Sequence, residues 1–123
     1  MSVGEVRFLE VIFPDQTNHY GTLFGGHAMG MMDKAAFVVA SRRARTQVVT
    51  ASADDIAFHA PARHGDVVEV VATLVSTGRS SMVVSAEMSR EDLASGEHTS
   101  VASGRFVMVA VDAEGQPVSL PTE

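Results

Sequence analysis

The segment NHYGTLFGGHAMGMMDKAAFVVA, from Asn18 to Ala40, constrains the fold more than any other part of the chain. A glycine-rich turn feeds a long run of Ala, Met, Phe and Val with almost no polar face. Ala and Met favour helix. A helix that is apolar on nearly every side must be wrapped by other elements, because no single surface would bury it. From Val48 onward no second strong helix is legible, so strands must supply the wrapping.

Those strands are readable. VRFLEVIF stops at Pro14 and Asp15, a turn pair. VVTASADDIAFHA halts at Pro61, DVVEVVATLVSTG closes at Gly78, and TSVASGRFVMVAVD is a last long run. In RSSMVVSAEMSR, Met82, Val84, Ala86 and Met88 alternate with Ser81, Ser85 and Ser89, the period of a half-buried strand. Short connections favour antiparallel neighbours. The order predicts an α+β protein, a long antiparallel sheet curled around a central helix, in one domain over residues 1–123. Val67, Val71 and Val75 alternate against Val68, Val70 and Leu74, which gives the sheet two apolar faces and predicts oligomerisation.

Composition removes whole classes of function. A formal net charge of −6 is wrong for coating a nucleic-acid backbone. The absence of cysteine excludes disulfides, thiolate metal sites and cysteine nucleophiles. The five histidines form no ligand set and HExxH is missing, so neither a metal nor another cofactor is expected. No basic segment followed by an apolar run opens the chain, and no stretch has the length of a membrane span. The expected location is the cytoplasm, with no membrane partner.

Asp33 is the anomaly. Its helical neighbours at three and four residues are Met29, Gly30, Ala36 and Phe37, none able to pair with a carboxylate. Lys34 points about 100° away. Asp33 is therefore either a solvated residue on an exposed strip or a carboxylate held from outside its helix. Ahead of it, Gly25 and Gly26 open the helix where no Ser, Thr or Asp N-cap is available. Uncapped amides with close backbone approach suit an anion or a developing oxyanion; a merely tight turn is the plainer alternative. No Gly-x-Ser-x-Gly elbow supports a serine hydrolase.

The run PDQTNHYGTLFGGHAMGMMDKAA resembles the acyl-CoA thioesterases of the hotdog fold, in the YciA-like branch that includes brain acyl-CoA hydrolase. The matching positions are Asn18, Gly21, Phe24-Gly25-Gly26 and Asp33. The likeness continues through VVTASADDIAF, HAPARHGD, GRSSM and RFVMVAVD. The resemblance implies hydrolysis of acyl-CoA thioesters, coenzyme A being part of the substrate and no cofactor being needed. It implies Asp33 as general base or nucleophile, Gly26 as oxyanion donor, and Asn18 as the residue that positions the thioester or water. An Asx-turn is the structural alternative for Asn18.

For substrate binding the resemblance points to Phe24 and Gly25 beside the thioester. Arg79, Ser80 and Ser81, then Arg43 and Arg63, are its candidates for the coenzyme A phosphates. It also implies a homo-oligomer with a dimer as the minimal unit and a trimer of dimers, a hexamer, as the larger assembly, Asn18 and Asp33 meeting from different subunits. Two other functions remain open on the sequence. A hotdog hydratase or dehydratase would need His27 or His59 as its catalytic histidine, and a non-catalytic acyl-CoA-binding protein would need no chemistry at all.

Overall fold

The computed structural model describes residues 4–122; residues 1–3 and 123 of the expected domain lie outside the described residues. Among the described residues five strands flank one long helix: β1 (Glu5–Val11), a 3-10 turn (Pro14–Gln16), α1 (Gly25–Ala44), β2 (Val48–Phe58), β3 (Val67–Thr77), β4 (Ser81–Glu91) and β5 (His98–Ala110). All pairings are antiparallel, and the sheet order is β1-β3-β4-β5-β2. The strands nearest the helix in sequence, β1 and β2, are therefore the two edges.

Alternation places the core. Val68, Val70 and Ala72 of β3, Met82, Val84, Ala86 and Met88 of β4, and Ala102, Phe106, Met108 and Ala110 of β5 are buried. Against them α1 sets Ala28, Met31, Met32, Ala35, Ala36, Val39 and Ala40. The alanines let the helix sit close to the sheet, and the methionines fill the gaps left by the small side chains. The predicted serine face of β4 is half-buried, as its alternation requires.

The sheet does not enclose the helix completely. Gly26 and Phe37 are exposed and Gly30 half-buried along one strip, and a Cβ added at Gly26 or Gly30 would meet nothing within 4 Å. At its far end α1 stops on Arg45, in the left-handed region at φ 55°, whose N–H donates to Ser41 O at 2.9 Å. Arg42 and Arg43 occupy the last turn, where positive charge suits the helix dipole.

β2 is irregular. Its pairing with β5 shifts register between Thr50 and Ser52 and again between Asp54 and Ala57, and Asp55 has φ 52°. Such bulges bend a strand and re-aim side chains.

Candidate active site

The turn before α1 is built by Asn18. Its Oδ1 accepts from Tyr20 N at 2.9 Å, Thr22 N at 3.2 Å and Thr22 Oγ1 at 3.1 Å. Its backbone O accepts from Gly21 N at 2.9 Å, and Gly21 takes the φ of 80° that the turn demands. The Asx-turn reading of Asn18 is therefore realised. Three donors on Oδ1 also fix the amide's orientation, leaving Nδ2 with its two N–H groups uncommitted among the described residues.

This turn is clamped to the rest of the fold. Leu23 N donates to Ala62 O at 2.8 Å, His64 N to Gly21 O at 3.3 Å, and Phe24 N to Gln16 O at 3.3 Å. Phe24 is the N-cap and makes no side-chain cap. The first helical amide to find a carbonyl is that of Ala28, which donates to Phe24 O at 3.0 Å. The amides of Gly25, Gly26 and His27 thus remain open, as every uncapped helix start leaves them. Beneath the first turn lies a cavity of about 390 Å³, lined by Leu23, Gly25, Ala28, Phe58, Ala60, Pro61, Ala62 and Val101 among others. A Cβ at Gly25 would stand 3.3 Å from the Phe58 ring, a close contact that the exposed Phe58 side chain would have to yield to.

Asp33 is half-buried, and its helix supplies no partner. Thr50 of β2 supplies one from outside, its Oγ1 donating to Asp33 Oδ1 at 2.7 Å. The same hydroxyl lies 3.5 Å from Met108 Sδ. Thr50 stands beside the first register shift of β2, so the bulge sets the hydroxyl's aim. Sequence reasoning missed Thr50; nothing in VVTAS marks it, since only strand register brings it to a helix residue 17 positions earlier. Lys34 is exposed and forms no ion pair among the described residues.

The phosphate-binding candidates do not converge within one chain. Arg43 Nη1 donates to Pro121 O at 2.8 Å, and Leu120 N donates to Arg79 O at 2.8 Å, so the C-terminal segment gathers Arg43 and Arg79 together. Ser80 and Ser81 belong to the same end, Ser80 O accepting from Ala110 N at 2.9 Å. That end adjoins the C-terminus of α1, about 30 Å along the helix from Gly25. Arg63 lies at the opposite end, bridged to Thr22 of the Asn18 turn. Among the described residues neither histidine needed for hydration chemistry bonds to a carboxylate: His59 Nε2 is 3.1 Å from Ser103 Oγ, and His27 Nε2 is 3.0 Å from Gln16 Nε2.

Comparison with known proteins gives this geometry a context. The family described as the thioesterase superfamily matches residues 20–97. An uncharacterised acyl-CoA thioester hydrolase of Zymomonas mobilis is 42% identical over 96% of this chain and 79% of its own length. The acyl-CoA thioester hydrolase YciA of Escherichia coli is 33% identical over 98% of this chain and 93% of its own. Among solved structures, a Staphylococcus aureus acyl-CoA hydrolase in complex with butyryl coenzyme A and coenzyme A superposes with a TM-score of 0.88 at 36% identity, covering 95% of this chain and 71% of that one. A hexameric acyl-CoA thioesterase reaches a TM-score of 0.91 at 36% identity, over 95% and 75%.

The Staphylococcus aureus enzyme has also been solved as three single variants, in which alanine replaces an aspartate, a threonine or an asparagine. There the asparagine precedes the aspartate by fifteen residues and the threonine follows it by seventeen, the spacings of Asn18, Asp33 and Thr50 in this chain. Likeness of this extent in both sequence and backbone assigns the family, and the chain belongs to the thioesterase superfamily, with the hotdog fold of its structural neighbours.

Proposed function

We propose that this chain hydrolyses acyl thioesters of coenzyme A, releasing a carboxylic acid and the free thiol. The observation that carries the reading is Asp33, half-buried and held by Thr50 on a helix whose first-turn amides are open. In this reading the thioester oxygen lies against the amide of Gly26, with the Nδ2 donors of Asn18 as a second source of stabilisation. Asp33 either takes a proton from the attacking water or attacks the carbonyl itself to give an anhydride that water then opens. The carbon–sulfur bond breaks and the thiolate leaves without needing prior protonation, so one carboxylate and an oxyanion site suffice and no cofactor takes part. Phe24, Gly25 and the cavity beneath the first turn would receive the acyl group.

The reading includes self-association. β2 is an edge strand, and apolar groups cluster around it: Phe58 is 54% exposed, Phe37 49% and Val49 44%. Two-fold pairing of copies along this edge would run the two helices in opposite senses. The N-terminus of one α1 would then face the end where the partner carries its copies of Arg43, Arg79, Ser80 and Ser81, and Asn18 of one chain could meet Asp33 of the other. A dimer is the minimal unit and a trimer of dimers the full assembly, in keeping with the hexameric relative. Cytoplasmic location belongs to the same proposal; among the described residues no helix is long and apolar enough to cross a membrane.

The test is thiol release from acyl-CoAs of graded chain length, followed with a thiol-reactive dye. Hydrolysis should fall at least about 100-fold in Asp33→Ala. No release from any chain length would remove the hydrolase reading, and tight binding without release would favour a sensing role. Loss of the enoyl absorbance of a crotonyl thioester would favour hydration.

A further inference from the structure

A second cavity, also of about 390 Å³, lies on the other flank of α1. Its lining comes from β1 (Val6, Phe8, Glu10), from Gln16 and from the helix (His27, Met31, Lys34, Ala35, Val38). The carboxylate of Asp33 reaches toward β2, and β1 and β2 are opposite edges of the sheet. The helix therefore stands between this cavity and Asp33, which leaves the cavity outside the proposed reaction site.

The lining is ordered by polarity. Met31 and Ala35 are buried and Val6, Phe8 and Val38 half-buried, so the floor is aliphatic and aromatic. The polar groups stand at the end near the first turn of α1 and at Lys34. Most of them are already engaged. Gln16 Oε1 accepts from Phe13 N at 2.8 Å, which fixes its amide and aims Nε2 at Glu10 Oε2 (2.7 Å) and His27 Nε2 (3.0 Å). An amide nitrogen only donates, so His27 Nε2 stands as the acceptor in this contact. Glu10 and His27 are thereby held by Gln16, whereas the ammonium of Lys34 has no partner among the described residues. From His27 to Val38 the helix advances about 16 Å, so the floor is elongated.

We infer that this cavity binds an aliphatic carboxylic acid of medium chain length, its tail along Val6, Phe8, Met31, Ala35 and Val38 and its carboxylate on Lys34. Apolar burial supplies most of the affinity, and the exposed ammonium selects an anionic head. The site touches the reaction centre indirectly. His27 follows Gly26 in the first turn, and Gln16, whose amide holds the His27 ring, also accepts through its backbone O from the N-cap amide of Phe24. Its occupant belongs to the same chemical class as the product proposed above, but the cavity and its lining do not depend on that reaction.

Decanoate, decanol and decylamine titrated calorimetrically into the assembled protein test the inference. Decanoate should saturate at one site per chain, and Lys34→Met should weaken it by about three- to fivefold while leaving decanol unchanged. Val38→Trp should abolish binding of both; Val6→Trp serves the same purpose should the first variant fail to fold. Preference for decylamine, undiminished decanoate binding in both filled variants, or no saturable binding would each overturn it. Thioester hydrolysis is measured on the same samples: hydrolysis without decanoate binding sinks only this site, and decanoate binding without hydrolysis sinks only the catalytic reading.

Discussion

Thr50 donates its hydroxyl to the carboxylate of Asp33 across 2.7 Å, joining the edge strand β2 to a helix that offers that carboxylate no partner of its own. A hydrogen bond to an ionised group is stronger than one between neutral groups and fixes which carboxylate oxygen faces outward. In the proposed reaction Asp33 Oδ2 is then the atom left to meet water or a carbonyl carbon. Thr50→Val keeps the shape and β propensity but removes the donor. Its kcat should drop by about ten- to a hundredfold with KM little changed, and Thr50→Ser should recover most of it. Steady-state kinetics on the three proteins decide this.

The proposed reaction gives Asn18 two separable duties, because its oxygen builds the turn and its nitrogen is left over among the described residues. Asn18→Asp retains the acceptor and deletes both N–H donors. Its thermal midpoint should stay within a few degrees of the parent while hydrolysis falls by about 10². If activity is retained, the side chain serves the turn alone. Asn18→Ala loses both duties and should also lower the melting temperature.

Gly30 separates the single chain from the assembly. In the lone chain a Cβ at this position meets nothing within 4 Å. Leaving glycine should then raise helix stability by up to about 1 kcal/mol. If copies pack through the uncovered strip of α1, Gly30→Leu should instead shift the sedimentation coefficient toward a smaller species and reduce activity in parallel. A stabilised variant with unchanged assembly would move the interface elsewhere.

Met32 is 0% exposed, on the helix face packed against the central strands. Met32→Ala leaves a void in the core, and it should cost about 2–5 kcal/mol. Urea unfolding monitored by circular dichroism measures the change through the midpoint at constant slope.

Elements set by local pattern were legible in the sequence. α1 follows from its run of alanine and methionine, β4 from its strict alternation, and the helix end from its arginines. The uncapped helix start was legible too, since no Ser, Thr, Asp or Asn stands in LFGG, the residues at the helix entry. What required the fold was anything joined across the sheet. Thr50 meets Asp33 only through the β2–β5 register and its bulge, and the distance between Arg63 and the Arg43–Arg79 pair appears only once the C-terminal segment is in place. Gln16 was equally invisible, a polar residue in a turn whose three side-chain contacts come from β1, the loop before it and α1.

The irregular pairing of β2 has a consequence for how sequences of this kind can drift. Moving that strand by a single residue would swap its two faces and carry the Thr50 hydroxyl to the wrong side of the sheet. Length changes in the short link between Ala44 and Val48 should therefore be purged by selection. The exposed connection from Asp92 to Glu97 joins β4 to β5 without touching that alignment, and it is where extra residues can accumulate harmlessly.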